Sequence, residues 1–262
     1  NSGTLQVLNL ETGKTIHFPN SYSYGYSSID HYRYSSNNKF LTFFTDVSFY
    51  NGTLQVLNLE TGKTIHFPNS YRDRNSYSYS PDNKFLTFFT KVSDNSGTLQ
   101  VLNLETGKTI HFPNSYRDRN SYSYSPDDRF LTFFTDVSDN GGTLQILNLE
   151  TGKTIHFPNS YSYSYSYSYS SDDGFLTFLQ TNKRTVHLFD LQRQKVIRTI
   201  SHQYEIEKIE FSPDNQYLTT FSKYPGSSTR GILKFTPVFL RDEDVFTYYT
   251  SRFTPLSTSE RE

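Results

Sequence analysis

Residues 97–116 read GTLQVLNLETGKTIHFPNSY, and residues 125–134 read SPDDRFLTFF. The first word begins unchanged at Gly3 and Gly52, and at Gly142 with Ile146 in place of Val. A diverged fifth copy, TVHLFDLQRQKVIRTI, begins at Thr185. The second word has relatives at Ser35 (SSNNKFLTFF), Ser80 (SPDNKFLTFF), Ser170 (SSDDGFLTFL) and Ser212 (SPDNQYLTTF). A self-similar period of this length is the mark of a repeat architecture. Length changes fall in two connections, between Pro19 and Ser36 and again after Phe175, so these connections read as loops and the rest as framework.

Each repeat reads as four strands and no helix. Thr98–Leu104 is β-rich, and Glu105-Thr-Gly-Lys108 is a turn in which Gly107 supplies positive φ. Lys108–Phe112 is a second strand closed by Pro113, and Ser121–Ser125 alternates with period two up to the turn at Pro126. Phe130–Thr135 is apolar on both faces, as a strand covered on both sides must be. The expected fold class is all-β, a β-propeller of four-stranded blades spanning residues 1–236, with about five blades. The ring is expected either to close by a shared blade, the first two strands joining the last two, or to be an arc of a larger ring. Gly231–Phe235 (GILKF) reads as a further third strand, and 237–262 as a C-terminal strand or tail with a frayed polar end.

The fifth repeat explains the tyrosines. Aligned on Ser125 and Ser212, it sets Ile209 against Tyr122 and Phe211 against Tyr124. Tyr77, Tyr79, Tyr122, Tyr124, Tyr167 and Tyr169 are therefore expected as core-facing rings, with the alternating serines on the other face. Their hydroxyls then need partners, which Ser or Thr of a neighbouring blade can supply.

Composition bounds the function. The 262 residues carry a net charge of −1, which gives no bulk electrostatic reason for a nucleic-acid or membrane-surface partner. Hydrophobic content is 34%, about half of it from 23 Phe and 22 Tyr, and this aromatic load argues against disorder. With no Cys there is no disulfide framework, thiolate metal site or Cys nucleophile. No apolar run approaches the length of a membrane span. With no Met, the chain reads as a processed product or a piece of something longer.

The order SPDNKFLTFF followed by TLQVLNLETGKTI resembles the WD40 repeat family, over residues 1 to about 236. His202 stands where the family's Gly-His dipeptide supplies its histidine, and Phe189-Asp190 where Trp-Asp would be. Leu8, Leu57, Leu102 and Leu147 hold the Trp place, and Asn9, Asn58, Asn103 and Asn148 the Asp place. The complete His-Ser/Thr-Trp-Asp hydrogen-bond set is therefore not expected here. Propellers of the TolB and dipeptidyl-peptidase kind, which also use S-P-D-x-K-x-L-x-F, are the second resemblance.

Candidate chemistry is sparse. His17, His66, His111 and His156 recur on the outermost strand of successive blades, too far apart to converge on one metal, so no metal site or cofactor is expected. The stretch from Asp136 to Gly141 resembles the start of a calcium loop, but Leu147 stands where the twelfth-position Glu should be, and a plain turn is expected. Asp127-Asp128 and Asp172-Asp173 belong to S-P-D turns. No G-x-S-x-G elbow occurs, so no catalytic residue and no enzyme activity is expected.

The expected function is a non-enzymatic scaffold that binds a protein or peptide through the rim carrying both variable connections. That rim holds Tyr71, Arg72, Arg74, Tyr116, Arg117 and Arg119, the Ser21–His31 insertion, and loops such as Asp94–Gly97. The WD40 resemblance implies such a scaffold role. A glycan-binding surface propeller, or the non-catalytic propeller of a larger hydrolase or signalling protein, are the alternatives. The chain is expected to be monomeric and to bind neither nucleic acid nor membrane. Asn51-Gly-Thr53 reads as a hairpin turn rather than a glycosylation site, and the expected location is cytoplasmic.

Overall fold

The computed structural model describes residues 2–23, 32–48, 51–72, 77–93, 96–116, 122–138, 141–160, 166–226 and 231–238. Among them are 21 strands and no helix. The chain divides into two compact units, residues 1–164 and 165–262.

In the first unit, β1 (Ser2–Leu8) and β2 (Thr15–Ser23) form an antiparallel pair. β3 (Tyr32–Tyr34), β4 (Phe40–Ser48), β5 (Asn51–Asn58) and β6 (Thr64–Tyr71) follow as a four-stranded antiparallel meander. The same meander returns as β7 (Tyr77–Tyr79), β8 (Phe85–Ser93), β9 (Ser96–Asn103) and β10 (Thr109–Tyr116). It returns again as β11 (Tyr122–Tyr124), β12 (Phe130–Ser138), β13 (Gly141–Asn148) and β14 (Thr154–Ser160). The second unit holds a four-stranded sheet, β15 (Tyr167–Tyr169), β16 (Phe175–Leu179), β17 (Thr185–Asp190) and β18 (Lys195–Ser201). It also holds a three-stranded one, β19 (Ile206–Phe211), β20 (Tyr217–Lys223) and β21 (Gly231–Pro237). The fold class is all-β, built from four-stranded blades of the β-propeller kind.

The doubly apolar strand is covered on both sides, as its sequence requires. Leu86 and Phe88 of β8 pack with Phe40, Phe44, Leu54 and Val56 of the preceding blade. Phe89, on the other face of β8, packs with Leu131, Phe133 and Leu147 of the following one. Successive joints repeat one ring contact: Phe18–Phe43, Phe67–Phe88 and Phe112–Phe133 each have centroids 4.6 Å apart. Each fully buried Phe or Leu contributes about 1.5–3 kcal/mol relative to exposure, so these faces are the main reason the blades stay together.

The tyrosines lie where the fifth repeat predicts. Tyr79 Oη and Thr42 Oγ1 are 2.5 Å apart, and Tyr124 bonds Thr87 in the same way one blade further on. Tyr77 and Tyr122 donate to the Thr42 and Thr87 carbonyls at 3.4 Å. Burial pushes the Tyr122 phenol up to about 12, opposed by its bond with the Ser78 hydroxyl, and lifts Tyr79, Tyr124 and Tyr167 as well.

One strand expectation is corrected. The strand beginning near Lys108 does not stop at Pro113 but runs to Tyr116 through a bulge between Phe112 and Ser115. Proline's missing N–H is tolerated at a bulge, Asn114 takes φ 55°, and Ser115 Oγ closes back on the Phe112 carbonyl at 2.7 Å. As the sequence predicts for Gly231–Phe235, β21 pairs with β20 along seven residues as the third strand of its sheet.

Candidate functional site

The two rims of each blade are built differently. At one rim, Asn103 receives Gly107 N–H on its carbonyl at 2.8 Å, and its side-chain oxygen receives the N–H groups of Glu105 and Thr106 at 3.0 and 2.9 Å. Gly107 takes φ 69° there. Asn58 and Asn148 close their turns in the same way, and Asp190 does so in the second unit by accepting from Arg193 N at 2.7 Å. Asparagine at this repeat position is thus a turn cap. The S-P-D-N turn lies at this same rim: Leu104 N–H reaches the Lys84 carbonyl at 2.8 Å, and Leu149 N–H the Arg129 carbonyl at 2.9 Å.

The opposite rim carries the connections whose length changes. Here the bulged strand is handed from one blade to the next, as Ser70 pairs with Thr90 and Ser115 with Thr135. Tyr71 and Tyr116 end β6 and β10 at this rim, at equivalent places on successive blades. Both are half-buried, as is Arg72. The Tyr71 ring packs against the cluster that includes Phe89 and Leu99, so part of it serves the core. Arg74, Arg117 and Arg119 lie outside the described residues, as do 24–31 of the insertion and 94–95 of the shorter loop.

The repeated histidines are tied into their own sheets. His66 Nδ1 bonds Gln55 Oε1, Gln55 Nε2 donates to Thr45 Oγ1 at 2.7 Å, and Thr45 Oγ1 donates to Asp46 at 3.2 Å. His111–Gln100–Thr90 and His156–Gln145–Thr135 repeat the chain, with the glutamines and threonines buried. Asp136 Oδ1 accepts from Asn114 Nδ2 at 3.2 Å, which gives that residue a structural partner; 139–140 of the calcium-like stretch lie outside the described residues. Among the described residues no group of three or more His, Asp or Glu side chains is placed to hold a metal.

One set of residues escaped the sequence reading. The fourth residue of the S-P-D-N turn takes left-handed φ (Asn38 57°, Asn83 61°, Asp128 62°, Asp173 53°, Asn215 56°). From three of these places the side chain reaches the turn of another blade. Asn83 Oδ1 accepts from Ser36 N and Oγ at 2.8 and 2.9 Å, Asp128 Oδ2 from Asp82 N at 2.6 Å, and Asn215 Oδ1 from Ser171 N at 2.9 Å. The legible signal was that only Asn or Asp occurs there, although turn chemistry alone already accounts for that choice. His202 bonds Thr220 Oγ1 at 3.1 Å and Ser222 Oγ at 3.4 Å.

These blades and rims define a repeat protein of the β-propeller class. No family model matches the chain, and no curated protein does. Among solved structures it is similar to the hydrazine synthase of Kuenenia stuttgartiensis, at 12% identity and TM-score 0.43 over 91% of this chain and 78% of that one. It is also similar to TolB from Acinetobacter baumannii, at 16% identity and TM-score 0.39, over 89% of this chain and 57% of TolB. A third similarity is to the β-propeller domain of Cps50 (Swd1) from Myceliophteria thermophila, at 13% identity and TM-score 0.39, over 77% and 70% of the two chains. These are similarities of architecture, not of activity.

Proposed function

We propose that the chain is a non-enzymatic interaction module of the WD40-like kind, which binds a protein or peptide at its variable rim. One contrast carries this reading. Asn58, Asn103 and Asn148 cap one rim with the same bonds in every repeat, while sequence and length change at the other. Discrimination between partners needs residues that differ from blade to blade. Tyr71 and Tyr116 supply aromatic surface beside a loop cation, and Arg72, Arg74, Arg117 and Arg119 suit carboxylates of an acidic peptide. Asp73 and Asp118 between the arginines set the register of such a peptide and disfavour extended polyanions.

The test is selection of a peptide ligand from a displayed library, followed by titration against the chain with all four arginines changed to Ala. Affinity should fall at least tenfold, with stronger dependence on salt in the parent, and the melting curve should not move. Equal affinity for parent and variant would remove this rim from consideration.

A further inference from the structure

β4 and β12 carry the same nine residues, FLTFFTDVS, and β8 carries them with one change: Lys91 stands where the others have Asp46 and Asp136. The three places share one backbone conformation, left-handed at φ 50° for Asp46, 51° for Lys91 and 52° for Asp136. Aspartate tolerates it because its short side chain bonds locally, and lysine has no such compensation. The two aspartates also tie blades together. Asn20 Nδ2 donates to Asp46 Oδ1 at 3.3 Å, and Asn114 Nδ2 to Asp136 Oδ1 at 3.2 Å. Between them, the pairing of Ser70 with Thr90 sets Asn69 beside Lys91, as that of Ser115 with Thr135 sets Asn114 beside Asp136. An ammonium only donates, so the amide bond made on either side is lost at this joint.

Lys183 shows what a lysine at positive φ can gain: it sits at φ 56° and reaches Glu205 at 3.8 Å. Lys91 is exposed, and among the described residues it enters no ion pair. A single residue change has thus reversed a charge, strained the backbone and removed a bond between blades, and nothing among the described residues compensates. A local rule broken without structural gain marks a place kept for binding.

Lys91 stands one residue beyond the Ser70–Thr90 pair, and Tyr71 and Arg72 follow that pair on the other strand. At the next joint the strand ending in Tyr116 meets Asp136 instead. Residues 71–75 and 116–120 have the same sequence, YRDRN, so two identical loops lie beside opposite charges. We propose that the two loops are not equivalent, and that Lys91 makes the Tyr71 joint the seat of a short acidic peptide segment, with a carboxylate on Lys91 beside Arg72. This rests on the variable-rim reading above. Asp46 and Asp136 stand at the joints on either side and oppose an acidic run long enough to cross from blade to blade. The partner that fits is a compact acidic motif bordered by neutral or basic residues.

The probe is a displayed random-peptide library selected separately on the full chain and on Lys91→Asp, with the enriched peptides synthesised and titrated by fluorescence anisotropy. The parent should enrich clustered Glu and Asp. These peptides should bind about tenfold more weakly to Lys91→Asp and about threefold more weakly to Lys91→Ala, and both differences should shrink as salt rises. Asp136→Lys should add a second bound peptide per chain. Lys91→Asp should also unfold at higher urea than the parent, because it restores the Asn69 bond on a backbone that Asp tolerates. No acidic enrichment on the parent, or a Lys91→Asp variant less stable than the parent, would overturn the proposal. So would Lys91→Asp that binds as the parent does but forms multimers, which assigns Lys91 to the register of the blades. Affinity kept by Lys91→Asp but lost when Arg72 and Arg117 become Ala would overturn this inference and leave the variable rim standing. Affinity kept by both variants would remove the rim as well.

Discussion

Asp128→Asn should stabilise this protein. Asp128 is 9% exposed, and its Oδ2 accepts from Asp82 N at 2.6 Å, while Oδ1 is buried with no hydrogen-bond partner among the described residues. Burial raises its carboxyl above the ordinary Asp value; the Asp82 N–H opposes this, and the Asp82 and Asp127 carboxylates reinforce it. Asn83 shows what an amide does at the same turn position: its oxygen takes the neighbouring turn, and its Nδ2 donates to the Pro81 carbonyl at 3.1 Å. An amide at 128 can repeat that arrangement on the Pro126 carbonyl. A buried polar atom left without a partner costs about 1–3 kcal/mol, so the substitution should gain about 1–2 kcal/mol at neutral pH.

The pH dependence follows from the direction of the shift. A carboxyl raised in the folded state holds its proton to higher pH than in the unfolded chain. Its contribution to stability is therefore full below the ordinary Asp value, near pH 4, and is lost as pH rises through the raised value. The gain from Asp128→Asn should be largest at pH 7 and shrink towards pH 4. Urea melts from pH 4 to 8, compared at equal m, read this directly. Asn83→Asp is the mirror experiment: it removes the donor to Pro81 and buries a charge, and should cost about 1–3 kcal/mol at pH 7. A variant at 128 less stable than the parent at pH 7, or a gain that persists unchanged into acid, would refute the reasoning.

Other substitutions test other joints. Gln194 sits at φ 54° where Gly152 sits at φ 71°, so Gln194→Gly should raise stability by about 1 kcal/mol, read as a higher melting temperature. A Cβ on Gly142 would lie 2.7 Å from Val137 Cγ2 and 3.0 Å from the Thr135 carbonyl, so Gly142→Ala should cost about 1–3 kcal/mol in a urea melt. Tyr124→Phe leaves the 0% exposed Thr87 without its hydroxyl partner and should cost about 1–3 kcal/mol, whereas Tyr34→Phe at an exposed ring should cost less than about 0.5 kcal/mol. The raised Tyr122 phenol contributes stability that is full below the ordinary Tyr value near pH 10 and lost as pH rises through about 12. Alkaline unfolding followed by circular dichroism should therefore set in above about pH 10 and come earlier than in a Tyr122→Phe variant.

Much of the framework was legible because repetition supplies its own controls. The fifth repeat replaces Tyr122 and Tyr124 by Ile209 and Phe211, which showed the tyrosines to be core positions before any contact was known. The bulge at Pro113 was not legible as strand, because proline reads locally as a terminator, and only pairing of Ser115 with Gly97 and Thr135 shows that the strand continues. The turn latches at Asn83 and Asp128 were hidden for a different reason. Asn and Asp favour left-handed turns on their own account, so the composition of that position gave no hint of a partner 46 or 47 residues away. At the candidate rim, strand alternation puts Tyr71 and Tyr116 at the ends of β6 and β10, while the packing of Tyr71 against the cluster that includes Phe89 depends on the crossing between blades.

The clearest lesson about energetics comes from one sequence in different surroundings. Gly-Thr-Leu-Gln-Val-Leu-Asn is the same in β1, β5 and β9, so strand propensity, turn chemistry and hairpin register are equal. Only the stack differs. Leu57 and Leu102 sit in strands paired on both edges and are fully buried, whereas Leu8 is 54% exposed. Protection against exchange reports the cost of opening, and an edge bonded on one side opens more cheaply than one bonded on both. Amides of Thr4–Leu8 should therefore exchange markedly faster than those of Thr53–Leu57 and Thr98–Leu102 in native-state hydrogen exchange. Equal protection would mean that stability resides in the hairpin itself. Graded protection places it in the joints between blades, where nearest-neighbour contacts sum along the repeat array.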